Sequence, residues 1–397
     1  MKYISLFVLM LTGINIASSQ YCDPSVTSNC PNAIISAVPF LRIVPDARSA
    51  AMGDGGIAIS PDANSMHLNA SKLAFIDSDY GLSASYSPWL RSLGLQDVYL
   101  AYLAGYKKVG ENQTLGASLR FFSLGDLQFT DINGLSLGQG KPNEFEVALA
   151  YARKLSDKFA AGLTGKFIYS NLAGGQQIDN IDIVAATSGA VDISFTYQNP
   201  IEIAAGGNLR IGAAITNIGS KVSYTKSEFK DFIPGNLGLG AALEMNFDDY
   251  NQLNFLLDFN KLLVPTPISP DDTVNYDANN NDYPDFREKP LFEGIFGSFT
   301  DAPGGFSEEM SEISFSVGAE YWYNKQFSFR AGYFFESPNK GNRQFLTAGL
   351  GLKYNIFGID ISYLVPTSNQ RSPLDNTLRF TLIFHFDDKS KAEANAN

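Results

Sequence analysis

The chain has 397 residues; 13% are aromatic, 18% are charged and 35 are glycine. A net charge of −12 and a pI of about 4.7 oppose binding to phosphate backbones, so no nucleic-acid partner is expected. Mean hydropathy is −0.07, and no internal apolar run is long enough for a membrane-crossing helix. Abundant aromatics and glycines with few charges fit a transmembrane β-barrel better than a soluble enzyme.

Residues 1–19 read as a secretory signal peptide: Met1-Lys2-Tyr3, an apolar run over 4–16, then small residues at Ala17 and Ser19. Tyr21 stands where a lipidated Cys22 would need a small residue, so the exported protein is not expected to be a lipoprotein. Cys22 and Cys30, the only cysteines, are predicted to close a small disulfide loop in an oxidising compartment. Without histidines nearby they make a poor zinc site.

Residues 20–79 lack strand alternation over 31–79 and are rich in small residues and glycine. Asp46, Asp62 and Asn69 each stand where an N-cap would start a short helical turn. This segment is expected to fold as a plug inside a barrel. The run through Gly53, Gly55 and Gly56 lacks the Gly-Lys-Ser/Thr ending of a nucleotide loop.

From Tyr80 a period of two sets in. Candidate strands lie at 80–87, 97–106, 113–123, 144–155, 159–169, 189–198, 208–218, 236–246, 252–260, 311–323, 326–336, 345–354, 358–364 and 377–386. The last shows the pattern best. Leu378, Phe380, Leu382, Phe384 and Phe386 share one face; Thr377, Arg379, Thr381 and His385 share the other, with Ile383 the apolar exception. Such strands put lipid on one side and a polar lumen on the other, and tyrosines at their ends suit an interfacial girdle.

The fold class expected is all-β: a 14-stranded antiparallel transmembrane β-barrel over 80–386 with an N-terminal plug. Connections alternate long and short, as in outer-membrane barrels with long loops outside and short periplasmic turns. An even strand number closes the sheet and is expected to leave the N- and C-termini periplasmic, with 387–397 a polar tail. Inward positions carry both charge signs: Arg120, Lys166, Arg210, Arg330, Lys353 and Arg379 against Glu146, Asp192, Glu244, Asp258, Glu320 and Asp360. This lining can pair with itself and with plug residues such as Arg48 and Asp54, giving a filled lumen.

Little points to catalysis. His67 and His385 are the only histidines, and no Ser/His/Asp arrangement can be assembled, so no enzyme is expected. The long extracellular loop 261–310 is the richest segment. Within it Asp277, Asn279, Asn281, Asp285 and Glu288 occupy positions 1, 3, 5, 9 and 12 of a calcium-loop template, with the Tyr283 carbonyl at 7. Asp282 stands where the template has glycine; calcium is therefore a candidate cofactor beside the plainer reading of a solvated turn. Further on, Phe296, Phe299 and Phe306 sit in a glycine-rich apolar stretch expected to dock onto another protein.

The N-terminal segment carries Pro39-Phe40-Leu41, Pro45-Asp46-Ala47-Arg48-Ser49, Met52-Gly53-Asp54 and Ser60-Pro61-Asp62-Ala63-Asn64-Ser65. Tyr86-Ser87-Pro88-Trp89-Leu90-Arg91, Leu119-Arg120-Phe121-Phe122 and Tyr151-Ala152-Arg153-Lys154-Leu155 follow in order. Together these motifs resemble the PorV family of outer-membrane barrels of the type IX secretion system. The resemblance is most specific over 39–157; Asn69-Ala70-Ser71-Lys72 departs from the Asn-Pro-Ala pattern of related barrels. It implies the fold of fatty-acid-transporter barrels with a different task. The implied partners are a giant translocon barrel, the C-terminal signal domains of exported cargo, and a surface attachment complex with a sortase-like protease, all at the outer-membrane lipid. The alternative is a transporter of hydrophobic small molecules such as fatty acids.

Overall fold

The structure is a computed structural model that describes residues 32–91, 95, 97–130, 136–173, 175, 177–178, 181–226, 229–268, 276–281, 283–368 and 377–387. The signal peptide, the Cys22–Cys30 pair, Asp282 and the tail from 388 lie outside the described residues. Fourteen strands close into one antiparallel barrel. They are β1 (Tyr80–Pro88), β2 (Val98–Gly110), β3 (Gln113–Leu124), β4 (Asn143–Lys154) and β5 (Phe159–Asn171). Then come β6 (Ala186–Ile201), β7 (Gly207–Gly219), β8 (Asn236–Asn246), β9 (Asn251–Leu262) and β10 (Ser314–Tyr323). The last are β11 (Phe327–Phe335), β12 (Gln344–Tyr354), β13 (Phe357–Pro366) and β14 (Leu378–Phe386). β1 pairs with β14, from Tyr80 opposite Phe386 to Tyr86 opposite Phe380, so no edge is left.

The alternation read from the sequence is the alternation of the wall. In β14, Leu378, Phe380, Leu382 and Phe384 face out, while Arg379, Thr381 and Ile383 are buried inside. In β4, Leu149 is 66% exposed on the outside and Glu146 is 2% exposed within. The outward positions would meet lipid, so these exposed hydrophobic side chains form the membrane face.

Two departures have physical causes. The candidate strand at 311–323 starts at Ser314, because Phe306–Ser311 is a helix. Two small hairpins, Leu127–Thr130 with Ser136–Gly140 and Gln177–Ile178 with Ile181–Asp182, were not expected; they pair only with themselves, beyond the barrel.

The register breaks between β6 and β7, where Thr216 and Asn217 together oppose Asp192. Asn217 takes a left-handed φ of +58°, a backbone conformation asparagine tolerates. Its N–H donates to Asp192 Oδ1 at 2.7 Å, and its side-chain oxygen accepts from Lys166 Nζ at 2.8 Å. The bulge thus turns a polar side chain into the ionic lining.

The N-terminal segment fills the lumen. It has a 3-10 turn at Pro39–Arg42, helix α1 (Ala47–Ala50), and 3-10 turns at Ala63–His67 and Ala70–Phe75. Asp46, Asp62 and Asn69 are the N-caps of the last three, accepting from the N–H groups of Ser49, Asn64 and Ser71. The plug lies directly on the wall backbone. A Cβ on Gly332 would fall 2.2 Å from Gly53 N, and one on Gly162 would fall 2.6 Å from Ser71 N. Only glycine allows that approach.

The N-terminus itself, expected to be periplasmic, lies outside the described residues. The barrel's own ends, Tyr80 and Phe386, meet at the short-turn end, as an even strand number requires. The first described residue does not. Asn32 donates to Asn339 O at 2.7 Å and to Pro267 O at 2.9 Å, both in long connections at the opposite end. The segment therefore runs the length of the lumen before β1 begins. Parity governs strands, and this segment contributes none.

Candidate functional site

Two apolar layers and an ionic belt close the lumen. Toward the long loops, Val38, Phe40 and Leu41 pack with Trp89, Leu100, Phe122, Phe334 and Phe345. Toward the short turns, Met66, Leu73, Phe75 and Ile76 pack with Tyr106 and the alanines at 148, 150, 152 and 160. The polar belt lies between them. Glu320, fully buried, accepts from Arg48 Nε and Nη2 at 2.9 Å each, from Arg330 Nε at 2.8 Å and from Asn254 Nδ2 at 2.8 Å. Arg48 also meets Asp62 at 3.1 Å, and Arg330 meets Asp360 at 2.5 Å. Lys166 meets Asp192 at 2.7 Å, Arg379 meets Asp54 at 2.6 Å, and Arg210 meets Glu244 at 2.8 Å. Asp258 accepts from Gly56 N and Ile57 N at 2.6 and 2.9 Å, and Arg120 donates to Leu41 O at 2.9 Å. The two-signed lining is thus largely spent on itself and on the plug.

Below the plug, at the short-turn end, is an open vestibule of about 520 Å³ lined by residues including Arg210, Trp322, Lys325, Lys353 and His385. Lys353 is the one charge of the expected lining that remains exposed. His385 Nδ1 lies 3.3 Å from Tyr106 Oη and 3.5 Å from Ser78 Oγ, a contact that ties the start of the barrel to its last strand.

At the other end the described residues of the 263–313 connection form a roof. Its helices are α2 (Asp285–Glu288), α3 (Leu291–Gly297) and α4 (Phe306–Ser311). Gly294 seats α3 on Phe232, whose ring would be 2.5 Å from a Cβ there. Below α4, Glu309 and Glu312 pair with Lys261, at 3.0 and 2.5 Å. Lys340 pairs with Glu312 at 3.0 Å and also with Glu308. Asn32 reaches the same Glu308 at 3.1 Å, so the N-terminal segment straps the roof down. Burial opposes ionisation of Glu308, but Lys340, the Gly304 N–H and Asn32 outweigh it and hold the carboxyl below its usual range. Glu336 sits between Arg42 at 3.0 Å and Arg343 at 2.8 Å; there too burial raises and the two guanidiniums win.

The outward side of the roof is apolar. Phe292 and Phe296 lie four residues apart on α3, and Phe306 and Met310 four apart on α4, so each pair shares a face. Phe296 is 70% and Phe306 80% exposed; Phe299, between the helices, is also exposed. Phe292 and Met310 are exposed too, and were missed in the sequence because the helices that align them with Phe296 and Phe306 were not foreseen.

The calcium-template residues converge. Glu288 accepts from the side-chain amides of Asn279 and Asn281 at 2.6 and 2.7 Å. Asp277 Oδ1 accepts from Asn281 N at 3.0 Å, Asn281 Oδ1 from Tyr283 N at 3.0 Å, and Asp285 Oδ2 from Ala278 N at 3.1 Å. Asp285 Oδ1 is buried with no hydrogen-bond partner. Among the described residues no group of three His, Cys, Asp or Glu side chains is arranged to hold a metal. The Tyr283 ring stacks on Phe229 with centroids 4.1 Å apart, and its phenol, desolvated beside Asp231, is pushed up to about 12.

A family model described as type IX secretion system protein PorV matches residues 26–269. The chain belongs to the PorV family. It is an outer-membrane protein of the type IX secretion system. No curated protein matches the chain. Solved structures to which the chain is similar include two toluene transporters and a FadL homologue. The Ralstonia pickettii toluene transporter TbuX is 13% identical, covers 86% of this chain and 98% of its own, and has a TM-score of 0.49. The Pseudomonas putida toluene transporter TodX is 10% identical over 91% and 100%, with a TM-score of 0.48. A FadL homologue of Pseudomonas aeruginosa is 10% identical over 89% and 100%, with a TM-score of 0.44.

Proposed function

We propose that this PorV-family protein is a non-enzymatic capture and shuttle subunit. In this reading it sits beside the giant translocon barrel, binds the C-terminal signal domain of emerging cargo, and hands it to a surface attachment complex with a sortase-like protease. The short-turn end faces the periplasm and the roof faces outward. One observation carries the reading: the lumen is filled by its own N-terminal segment, while the long-loop roof turns Phe292, Phe296, Phe299, Phe306 and Met310 to the outside. A filled barrel cannot conduct, and exposed aromatics favour a protein partner. The transporter alternative needs a lateral opening and an apolar tunnel; the wall is paired around its circumference and the belt is ionic.

Affinity purification in mild detergent tests this. The translocon barrel and cargo should co-purify with the unaltered protein and be lost when residues 296–306 are deleted, with the barrel still folded. Normal secretion in a deletion strain that fails to take up a lipid would favour the transporter instead.

We also propose that the 277–288 loop takes one Ca²⁺ through Asp277, Asn279, Asn281, Asp285, Glu288 and the Tyr283 carbonyl. Their spacing and the unpartnered Asp285 Oδ1 support it. Calorimetry should show calcium-dependent heat that Asp277→Ala removes; no heat from the unaltered protein ends the idea.

A further inference from the structure

We infer that the aromatic face of the roof selects a basic partner: an apolar patch ringed by lysine or arginine on the cargo signal domain. This rests on the capture reading above and adds the chemistry of recognition. Between β9 and β10 the described residues carry eight acidic groups, Asp277, Asp285, Glu288, Glu293, Asp301, Glu308, Glu309 and Glu312, against Arg287 and Lys289. Nearby cations offset only part of that charge, and Lys230 beside Asp231 stays exposed. Lys261 and Lys340 are held under α4 by Glu308, Glu309 and Glu312. Lys289 is held by Asp301 at 3.3 Å and Arg287 by Asp231 at 2.8 Å, while Lys221 donates to the Lys289 carbonyl at 3.2 Å. Glu293 is exposed between Phe292 and Phe296 on α3. A visiting surface therefore meets aromatics set in a negative field.

That combination separates the possible occupants. A second copy docking through the same patch would set two acidic faces against each other, as a two-fold contact demands. An anionic lipid surface would be repelled likewise. A neutral apolar surface would bury the aromatics and gain nothing from the field. A basic rim around an apolar centre satisfies both features: the charges steer the encounter and the aromatics hold the complex.

The test uses the full-length protein in nanodiscs and the isolated C-terminal signal domain of an exported cargo protein, with binding kinetics measured at low and high salt. The on-rate should fall roughly tenfold or more as ionic strength rises, since exposed charges are screened over about 10 Å at 0.1 M. Glu293→Lys should slow association several-fold, and Phe296→Ala should speed dissociation roughly tenfold, a typical interface-anchor loss. Heat-modifiable gel mobility checks that each variant is folded. Binding that ignores salt and both substitutions overturns this inference and leaves the capture reading standing. No binding to the unaltered protein overturns both. Self-association or capture by anionic vesicles that Phe296→Ala abolishes also overturns it.

Discussion

Removing the Glu320 carboxylate should free the plug. Both its oxygens are used: Oε1 by Arg48 and Arg330, Oε2 by Arg48 and Asn254, all at 2.8–2.9 Å. Glu320→Ala leaves each guanidinium with a single remaining carboxylate, Asp62 for Arg48 and Asp360 for Arg330. Breaking a buried ion pair from one side costs about 3–5 kcal/mol, because the other charge stays desolvated. Every 1.4 kcal/mol is tenfold, so opening of the plug should rise by roughly two to three and a half powers of ten. The loss should be local, since Arg48 belongs to the plug and Glu320 to the wall. Hydrogen exchange read by mass spectrometry in micelles should quicken across residues 46–62 and stay unchanged in β4 and β5. Exchange over 46–62 within tenfold of the unaltered protein would refute the claim that this network seats the plug.

Three further outcomes follow from the same geometry. Gly332→Val should prevent the plug from seating, since its Cβ would overlap Gly53 N at 2.2 Å; Gly165→Ala, with nothing within 4 Å, should fold normally, and gel mobility distinguishes them. Deleting residues 32–37 removes the strap to Asn339, Pro267, Glu308 and Phe232 and should expose 263–313 to protease while the barrel resists. Glu336 has a depressed pKa, so its clamp on Arg42 and Arg343 contributes fully above the ordinary glutamate range and is lost as pH falls through the lower folded value. Protection of the N-terminal segment around Arg42 should therefore persist at pH 5 and decline only below about 4.3, the ordinary glutamate value; Glu336→Gln should remove the acid step there.

The wall was legible because a strand repeats every two residues and lipid demands an unbroken apolar row. β14 and β4 fit that rule at nearly every position. The plug's caps were legible too: Asp46, Asp62 and Asn69 act through hydrogen bonds to N–H groups two or three residues on, a local signal. Its path was not. Nothing periodic says that Arg48 meets Glu320 or that Asp54 meets Arg379, separated by hundreds of residues. The mixture of signs could be read; the partners could not. In the roof, α3 and α4 have only seven and six residues and no helical period long enough to register. They are held by contacts from elsewhere, the Phe232 ring under Gly294 and Lys261 under Glu309. So Phe296 and Phe306 stood out in the sequence, whereas the alignment of Phe292 and Met310 with them did not.

The same packing decides where specificity can reside. A wall facing lipid must be uniformly apolar, and a lumen occupied by its own chain has few free groups. Covalent attachment tethers the plug: it enters under the roof at Asn32 and continues into β1 at Tyr80, so its C-terminal end stays fixed to the wall. The vestibule reaches the belt at Arg48, Asp62, Arg330 and Asp360, but Glu320 behind them is fully buried, which strengthens its ion pairs and raises the cost of opening. What such a barrel can vary without unfolding is the roof, where acidic loops and outward aromatics are anchored from beneath by Lys261, Lys340 and the strap at Asn32. Loosening those anchors should cost partner binding before it costs the barrel.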